Sequence, residues 1–275
     1  MTATQLDRFS TAAGGGRPDA TPIWFMRQAG RVLPRYRELR ERYDFQTLSS
    51  DPALTAEVTM LPLEVLPVDA AILFADLMTP LAAMGIDYSI VEGVGPVVAH
   101  PLTDADRIGR IELRPTVEAI PALFEAIKLI RKELAHGIPL IGFAGAPFTI
   151  ASYLIEGRGS RDLAKTKRLM FSDDPSWQML MEKLTNLLID YLTEQVNSGV
   201  QAFQLFDSWV GVLSPHDYRE YVLPFSRRIF AQTKQLGVPR IHFGTGNATL
   251  LADMASAGAE VMGVDWRVPL DHARQ

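Results

Sequence analysis

Residues 138–155 read IPLIGFAGAPFTIASYLI, and they contain the structural unit from which the architecture of the chain can be inferred. These 18 residues carry no charge, so the stretch is almost long enough for a membrane-spanning helix. Pro139, Gly142, Gly145 and Pro147 argue against one continuous helix, because proline and glycine interrupt helices. The pattern instead predicts a buried strand at 140–144, a loop at 145–147 and a new helix from about residue 150.

The same unit, a short apolar strand followed by a longer helical pattern, recurs on both sides of this stretch. Further strands are predicted at 23–26, 69–75, 201–206, 240–243 and 261–264. Predicted helices separate them at 51–66, 114–136, 174–198, 215–235 and 250–257, and a β-hairpin is predicted from 86–91 and 95–99. This alternation predicts an α/β fold with a parallel sheet of six strands covered by helices.

Six parallel strands fit either an open doubly wound sheet or most of a (β/α)8 TIM-type barrel. The loop after the first strand reads RQAGRV and lacks the G-x-G-x-x-G pattern of dinucleotide-binding sheets, so the barrel is preferred. A closed barrel needs two more strands, and we expect a truncated chain rather than a partner that covers the open edge. The predicted division is a flexible N-terminal arm at 1–20 and a single, C-terminally incomplete barrel domain at 21–275.

Composition narrows the class of protein. The 32 acidic residues outnumber the 27 basic residues, which argues against a nucleic-acid partner. The chain contains no cysteine, so disulfides and thiolate zinc sites are ruled out, and a cytoplasmic location fits. The first 22 residues lack the apolar core of a secretory signal, and no membrane partner is expected.

A cluster of positive charge at 24–42 runs against this acidic background. It holds six arginines and no lysine. Arginine pairs with carboxylates or phosphates in a two-point geometry that lysine cannot provide. Arg27 and Arg31 flank Gln28-Ala29-Gly30 at the predicted end of the first strand, so they are candidates for anion binding. The later arginines lie among Glu38 and Glu41 at helical spacing and fit a solvated helix face.

In a barrel, functional side chains collect at the C-terminal ends of the strands. No predicted strand ends in lysine, which disfavours Schiff-base chemistry. Asp76, which follows an almost wholly apolar strand, could cap the next helix, pair with an arginine such as Arg27, or contact a cationic or N–H-rich ligand. The other residues at strand ends or in the following loop and helix are Tyr153, Asp207, Ser208, Thr245 and Asp265.

Four motifs together resemble the uroporphyrinogen decarboxylase family. They are RQAGR at 27–31 with Leu33-Pro34, the strand 70–76 that ends in Phe-x-Asp, GFAGAPFT at 142–149 followed by Tyr153, and QLFDS at 204–208. They occur in the family's order, and the resemblance spans about residues 20–270. The family's last two strands and a Gly-His-Gly type loop have no match in this sequence.

The resemblance implies a distorted (β/α)8 barrel that works as a cytoplasmic homodimer. It implies that the four acetates of uroporphyrinogen III become methyls, giving coproporphyrinogen III without metal or organic cofactor. The family's site residues fall on these positions: catalytic Asp76, Arg27 and Tyr153, and substrate-binding Arg27, Gln28, Ala29, Gly30, Arg31, Asp76, Tyr153 and Ser208.

The chemistry of those residue types agrees with this expectation. A substrate with eight carboxylates needs an arginine-rich entrance, and decarboxylation through a protonated pyrrole needs an anion beneath the cationic ring. Asp76 suits the second role, and Arg27 is expected to orient the reacting acetate, because its high pKa makes it a poor acid. Three alternatives stay open: a metal-dependent barrel lyase or hydrolase that uses Asp76, Asp207, His242 and Asp265, a non-catalytic tetrapyrrole- or polycarboxylate-binding relative, and a corrinoid-dependent methyltransferase.

Overall fold

The computed structural model describes residues 8–91 and 93–274, so Glu92 and the first seven residues of the expected arm lie outside the described part. Its strands are β1 (Ala71–Ile72), β2 (Tyr88–Val91), β3 (Gly95–Val98), β4 (Leu140–Gly145), β5 (Ala202–Asp207), β6 (Arg240–Gly244) and β7 (Val261–Gly263). Its α-helices are α1 (Arg8–Ala13), α2 (Pro34–Arg42), α3 (Phe45–Ser50), α4 (Pro52–Val65), α5 (Ala105–Gly109), α6 (Thr116–Ala119), α7 (Pro121–Glu133), α8 (Pro147–Glu156), α9 (Ala164–Ser172), α10 (Asp174–Ser198), α11 (Pro215–Tyr221), α12 (Leu223–Thr233), α13 (Leu251–Ala255) and α14 (Leu270–Ala273). Within the described residues, short 3-10 helices lie at Thr79–Met84, Val210–Val212 and Lys234–Leu236.

The central sheet has the strand order β1-β4-β5-β6-β7, and every neighbouring pair is parallel. Each strand therefore lies beside the one before it in this sheet, with no reversal of order. A doubly wound sheet would reverse its order at a switch point, whereas a barrel is wound in one direction. The α/β fold of the (β/α)8 barrel class is thus confirmed, and β2 and β3 form a separate antiparallel hairpin.

The predicted first strand at 23–26 is wrong. Residues 21–25 have no regular secondary structure, and the side chains of Ile23, Phe25 and Met26 are exposed. The backbone N–H of Asp69 donates to the carbonyl of Ile23 at 2.7 Å, and the Asp69 carboxylate accepts from the Ile23 N–H at 2.8 Å. One residue is thus fastened to the sheet edge without a ladder of backbone bonds. The described parallel sheet has five strands rather than six.

Other boundaries differ at prolines. The helix predicted at 114–136 is two helices, because Pro121 begins α7 after the break at Ile120. The helix predicted at 215–235 likewise divides into α11 and α12 at Val222, with Pro224 in the first turn of α12. Proline fits the first turn of a helix, where its missing N–H is not needed, so it starts a new helix more readily than it continues one.

Residues 138–155 fold largely as expected. Strand β4 ends at Gly145, and α8 begins at Pro147, a little before the predicted start. Strand β4 is buried at all six positions and pairs with strands on both sides. The side chain of Gln195 on α10 fixes this strand: its Oε1 accepts from Phe143 N at 3.0 Å, and its Nε2 donates to Phe143 O at 2.9 Å.

The described part of the expected N-terminal arm contains α1. Arg8 on this helix pairs with Asp19 at 2.7 Å and with Asp69 at 3.2 Å. The division into an arm and a barrel domain stays a prediction. Among the described residues, no helix is both long and apolar enough to cross a membrane.

Candidate active site

The loop that carries Arg27 is held in place by Gln28, whose side chain is 2% exposed. Its Nε2 donates to the carbonyl of Ala70 at 3.0 Å, and its Oε1 accepts from Phe25 N at 3.1 Å. Both ends of the amide are thus bonded within the protein, so Gln28 fixes the position of its loop. The side chain of Arg27 is exposed beside it.

The neighbouring residues shape the same loop. Leu33 N donates to the carbonyl of Gly30 at 3.0 Å, which closes a turn. Gly30 suits this turn, since a Cβ there would lie only 3.2 Å from the Arg27 carbonyl. Ala29 packs on a small cluster around Tyr36, and the side chain of Arg31 is exposed. The loop thus presents two guanidinium groups and accessible backbone on one tight turn.

Asp76 lies four residues after the end of β1 and is partly buried. Its Oδ1 accepts from Met78 N at 2.8 Å, and its own N–H donates to Thr79 Oγ1 at 3.1 Å. These two bonds shape the turn before the 3-10 helix at Thr79–Met84, but the N-cap of that helix is Met78 and no side chain caps it, so the capping role considered for Asp76 is not what the structure shows. Burial raises the pKa of Asp76, while the Met78 N–H and the positive charge of Arg27 lower it, and burial is the larger effect.

Tyr153 on α8 lies close enough to Asp76 and Arg27 to be affected by their charges. Its ring packs edge-on against Trp209, with ring centres 5.8 Å apart. Burial is the main reason that the pKa of Tyr153 is raised, and the charges of Asp76 and Arg27 act on it in opposite directions. The structure thus brings Asp76, Arg27 and Tyr153, from three separate segments, into electrostatic contact.

Tyr88, on the first strand of the hairpin, was not anticipated. Burial raises the pKa of Tyr88, and the charge of Asp76 adds to the rise, whereas the Thr79 hydroxyl opposes it. The same Thr79 hydroxyl accepts from the backbone of Asp76. The hairpin therefore forms one wall next to Asp76. In the structure, β2 alternates between partly buried and exposed positions, and Tyr88 lies at a partly buried one.

Ser208 follows β5 directly and is half-buried. Its carbonyl accepts a hydrogen bond from Thr245 Oγ1 in the loop after β6. The next residue is Trp209, which contacts Tyr153. Ser208 therefore lies at the same end of the sheet as Tyr153, directly before Trp209 in the chain.

A row of three phenylalanines crosses the sheet. Phe143, Phe206 and Phe243 come from β4, β5 and β6, and their ring centres are 5.5 and 5.7 Å apart. A Cβ on the preceding Gly142 would lie 2.2 Å from Gln195 on α10, so that position faces the helices. Since successive side chains alternate between faces, the phenylalanine row lies on the inner face of the sheet.

The geometry does not assemble the metal site considered for Asp76, Asp207, His242 and Asp265. Asp207 is fully buried and faces α8, where its Oδ1 accepts from Thr149 Oγ1 at 2.9 Å. His242 also faces the helices, with its Nδ1 3.3 Å from the carbonyl of Met254 on α13. Across residues 8–91 and 93–274, no group of three or more His, Asp or Glu side chains could hold a metal ion.

The burial of these two residues has opposite effects on their charge. Burial raises the pKa of Asp207 to about 7, and the hydrogen bond from Thr149 opposes the rise. Burial lowers the pKa of His242 to about 4. Asp265 is different: burial would raise its pKa, but hydrogen bonds from Gly246 N and Arg267 keep it below the usual value.

Comparison with known proteins agrees with this geometry. The family model "Uroporphyrinogen decarboxylase (URO-D)" matches residues 4–275. The uroporphyrinogen decarboxylase of Rhodococcus erythropolis is 53% identical over 262 residues, which cover 95% of this chain and 73% of the relative. That of Thermus thermophilus is 50% identical over 270 residues, which cover 98% of this chain and 78% of the relative.

A solved structure supports the fold. A methyltransferase from Methanosarcina mazei superposes with a TM-score of 0.76 over 94% of this chain and 75% of that chain. The two sequences are 22% identical, so this likeness concerns the fold alone. From the match of the family model and the identity to both relatives, we conclude that this chain belongs to the uroporphyrinogen decarboxylase family.

Proposed function

We propose that this chain converts uroporphyrinogen III to coproporphyrinogen III by removing carbon dioxide from its four acetate side chains. As a member of its family the chain is a carboxy-lyase of porphyrin biosynthesis. The substrate isomer and the roles of individual side chains belong to the proposal, as do a cytoplasmic homodimer and a reaction without metal or organic cofactor.

The observation that carries the proposal is the surroundings of Asp76. A partly buried carboxylate lies beside a phenol and within electrostatic range of an exposed guanidinium. The Met78 N–H and Arg27 favour its ionised form against the effect of burial. A sheltered anion of this kind can accept hydrogen bonds from pyrrole N–H groups and stabilise a transient positive charge on the ring.

The proposed reaction is a proton-assisted decarboxylation. A proton adds to the pyrrole α-carbon next to the ring carbon that bears the acetate, and the positive charge of the resulting ring is shared by the acetate-bearing carbon. The C–C bond to the carboxylate then breaks, carbon dioxide leaves, and the electron pair returns to the ring through an exocyclic double bond. A second proton at the exocyclic carbon, with loss of the ring proton, gives the methyl group. Asp76 stabilises the cationic ring, and Tyr153 fixes the position of the reacting pyrrole.

The arginine loop accounts for the charge of the substrate. Arg27 and Arg31 bind substrate carboxylates in two-point geometry, and Arg27 orients the acetate that reacts. Gln28, Ala29 and Gly30 contribute through the backbone that holds the two guanidinium groups apart. Ser208 supplies a hydroxyl for a further carboxylate at the end of β5.

The phenylalanine row supplies the other half of recognition. Phe143 and Phe243 are 7% exposed, and Phe206 between them is half-buried. The three phenylalanine rings offer an apolar floor for the pyrrole rings and methylene bridges of the substrate. The carboxylate side chains of the substrate then point to the arginine loop. Apolar lining with a few placed polar groups is the usual make-up of a small-molecule site.

The test is anaerobic incubation with uroporphyrinogen III, followed by counting the carboxyl groups of the product. Asp76→Asn should reduce turnover by about 10²-fold or more while binding is partly kept, because it removes one preorganised charge. Asp87→Asn removes the same charge from an exposed position on the hairpin and should leave turnover unchanged. Unchanged turnover in Asp76→Asn would contradict the proposed role.

The same assay separates the alternatives. A non-catalytic binder would give saturable binding of uroporphyrinogen III with no release of carbon dioxide. A metal-dependent lyase or hydrolase would lose its activity after exhaustive chelation, whereas the proposed reaction would continue.

A further inference from the structure

Asp207 and Thr149 form a buried hydrogen-bonded pair that the proposed reaction does not use directly. Both side chains are 0% exposed, and Thr149 Oγ1 donates to Asp207 Oδ1 at 2.9 Å. The same threonine oxygen accepts from the backbone N–H of Trp209 at 3.3 Å. One hydroxyl therefore links the end of β5 to α8 and fixes the turn that follows the strand.

This turn sets the position of an aromatic ring at the site. Trp209 packs edge-on against Tyr153 with ring centres 5.8 Å apart. On another side, a Cβ built on Gly159 would lie 3.6 Å from the indole, so the ring lies next to that loop. Because the backbone of Trp209 is anchored through Thr149, its ring has little freedom, and neither has the Tyr153 ring beside it.

The pair has an energetic cost that packing alone does not explain. The second oxygen of Asp207, Oδ2, is buried and has no hydrogen-bond partner among the described residues. The hydroxyl of Tyr218 on α11, whose pKa is raised by burial and by the nearby charge of Asp207, is also unpartnered within that part of the chain. Leaving buried polar atoms unbonded lowers stability, and such features concentrate where function requires them.

We propose that Thr149 and Asp207 are positioning residues, which act on the reaction through Trp209 by fixing the Tyr153 ring beside Asp76. This inference rests on the proposed function, because it assumes that Tyr153 contacts the substrate. Neither residue touches the substrate, since both lie between β5 and the helices on the outer face of the sheet.

The chain offers a matched control for this proposal. Thr116 is also 0% exposed, and its Oγ1 donates to the carboxylate of Asp190 at 2.7 Å, away from Tyr153. Thr149→Val and Thr116→Val each exchange a buried hydroxyl for a methyl of similar size. Thr149→Val should lower kcat about tenfold with a smaller change in KM, because the acetate-binding loop is untouched. Both substitutions should lower Tm by similar amounts, but Thr116→Val should leave kcat unchanged.

Conservative variants keep the test valid if Thr149→Val folds poorly. Thr149→Ser retains the hydroxyl and should restore kcat to near the original value. Asp207→Asn retains Oδ1 as the acceptor from Thr149 and should keep most of kcat, whereas Asp207→Ala should behave like Thr149→Val. Equal losses in Thr149→Ser and Thr149→Val would overturn the proposal.

A double-mutant cycle shows whether the effect passes through Tyr153. Tyr153→Phe alone should lower kcat, and adding Thr149→Val to it should cause at most about a twofold further loss, since the two act on one element. If the two losses multiply instead, the positioning proposal is wrong while the proposed function stands. If the unmodified chain releases no carbon dioxide from uroporphyrinogen III, the proposed function fails, and the positioning proposal fails with it. If Tyr153→Phe leaves turnover unchanged while the unmodified chain is active, the positioning proposal fails and the proposed function stands.

Discussion

The side-chain amide of Gln28 donates to the carbonyl of Ala70 at 3.0 Å, one residue before β1 begins. This bond fastens the loop that carries Arg27 and Arg31 to the strand that leads to Asp76. The two bonds between Ile23 and Asp69 join the same two segments, but they lie four residues before Arg27, whereas Gln28 lies within the loop itself. The buried amide of Gln28 therefore helps to set the position of the two guanidinium groups relative to the Asp76 carboxylate.

Replacement of Gln28 should loosen this connection. Gln28→Ala removes both hydrogen bonds and leaves the Ala70 carbonyl and the Phe25 N–H without partners, at a cost of about 1–3 kcal/mol. We expect KM for uroporphyrinogen III to rise about tenfold, with a smaller fall in kcat, because the loss affects substrate binding by the loop. Gln46→Ala, which changes an exposed glutamine on α3, serves as the control. A change in kcat alone would contradict this view.

Replacement of Arg27 by lysine separates charge from geometry. Lysine keeps the positive charge but cannot form the planar two-point contact with a carboxylate. We expect Arg27→Lys to lower kcat/KM at least about tenfold, on the scale of a lost charge-assisted hydrogen bond. Arg42→Lys, on the exposed end of α2, should leave kcat/KM unchanged. Equal kinetics for the two variants would show that Arg27 supplies only charge.

The fold could be predicted where local sequence and tertiary packing require the same structure. Residues 138–155 gave the correct order of strand and helix because an uncharged run with prolines has few other solutions. The run at 23–26 looks similar but is not a strand. Its hydrogen bonds to the edge of the sheet are made at Ile23. One of them uses the Asp69 side chain, 46 positions away, which no local pattern can reveal.

The site, too, could be predicted from the sequence only in part. Asp76, Arg27 and Tyr153 were identified because each lies in a motif or at the end of a strand. Tyr88 was not, because it approaches Asp76 only when the hairpin folds back on the sheet. The metal-site alternative grouped Asp207 and His242 with Asp76, but both face the helices, and the side-chain direction of a strand buried on both faces cannot be determined from its composition.

Asp207 and His242 should give stability opposite dependences on pH. The pKa of Asp207 rises to about 7 on folding, so its contribution is full below the ordinary pKa of 3.8 and is lost as pH rises to about 7. The pKa of His242 falls to about 4, so its contribution is full above 6.5 and is lost as pH falls to about 4. Each slope is at most about 1.4 kcal/mol per pH unit, and between pH 4 and 6.5 the two largely cancel.

Urea unfolding at several pH values can separate these slopes. Asp207→Asn removes the acid titration, so from pH 4 to 6.5 its stability should rise with pH more steeply than that of the unmodified chain. His242→Gln removes the histidine titration and should show stability that falls with pH over the same range. Parallel curves for all three proteins would mean that neither group changes its pKa on folding.

The absence of a side chain at Gly142 lets α10 approach β4 closely. A Cβ at this position would lie 2.2 Å from Gln195 Oε1 and 2.9 Å from a methyl of Val200. Gly142→Ala should therefore displace the Gln195 amide from Phe143 and lower the free energy of unfolding by about 1–3 kcal/mol. Gly109→Ala is the matched control, since a Cβ there would meet only the Met179 sulfur at 3.9 Å. Its free energy of unfolding should stay within about 0.5 kcal/mol of the original. Equal stability of the two variants in urea unfolding would show that the amide bridge can move aside without loss.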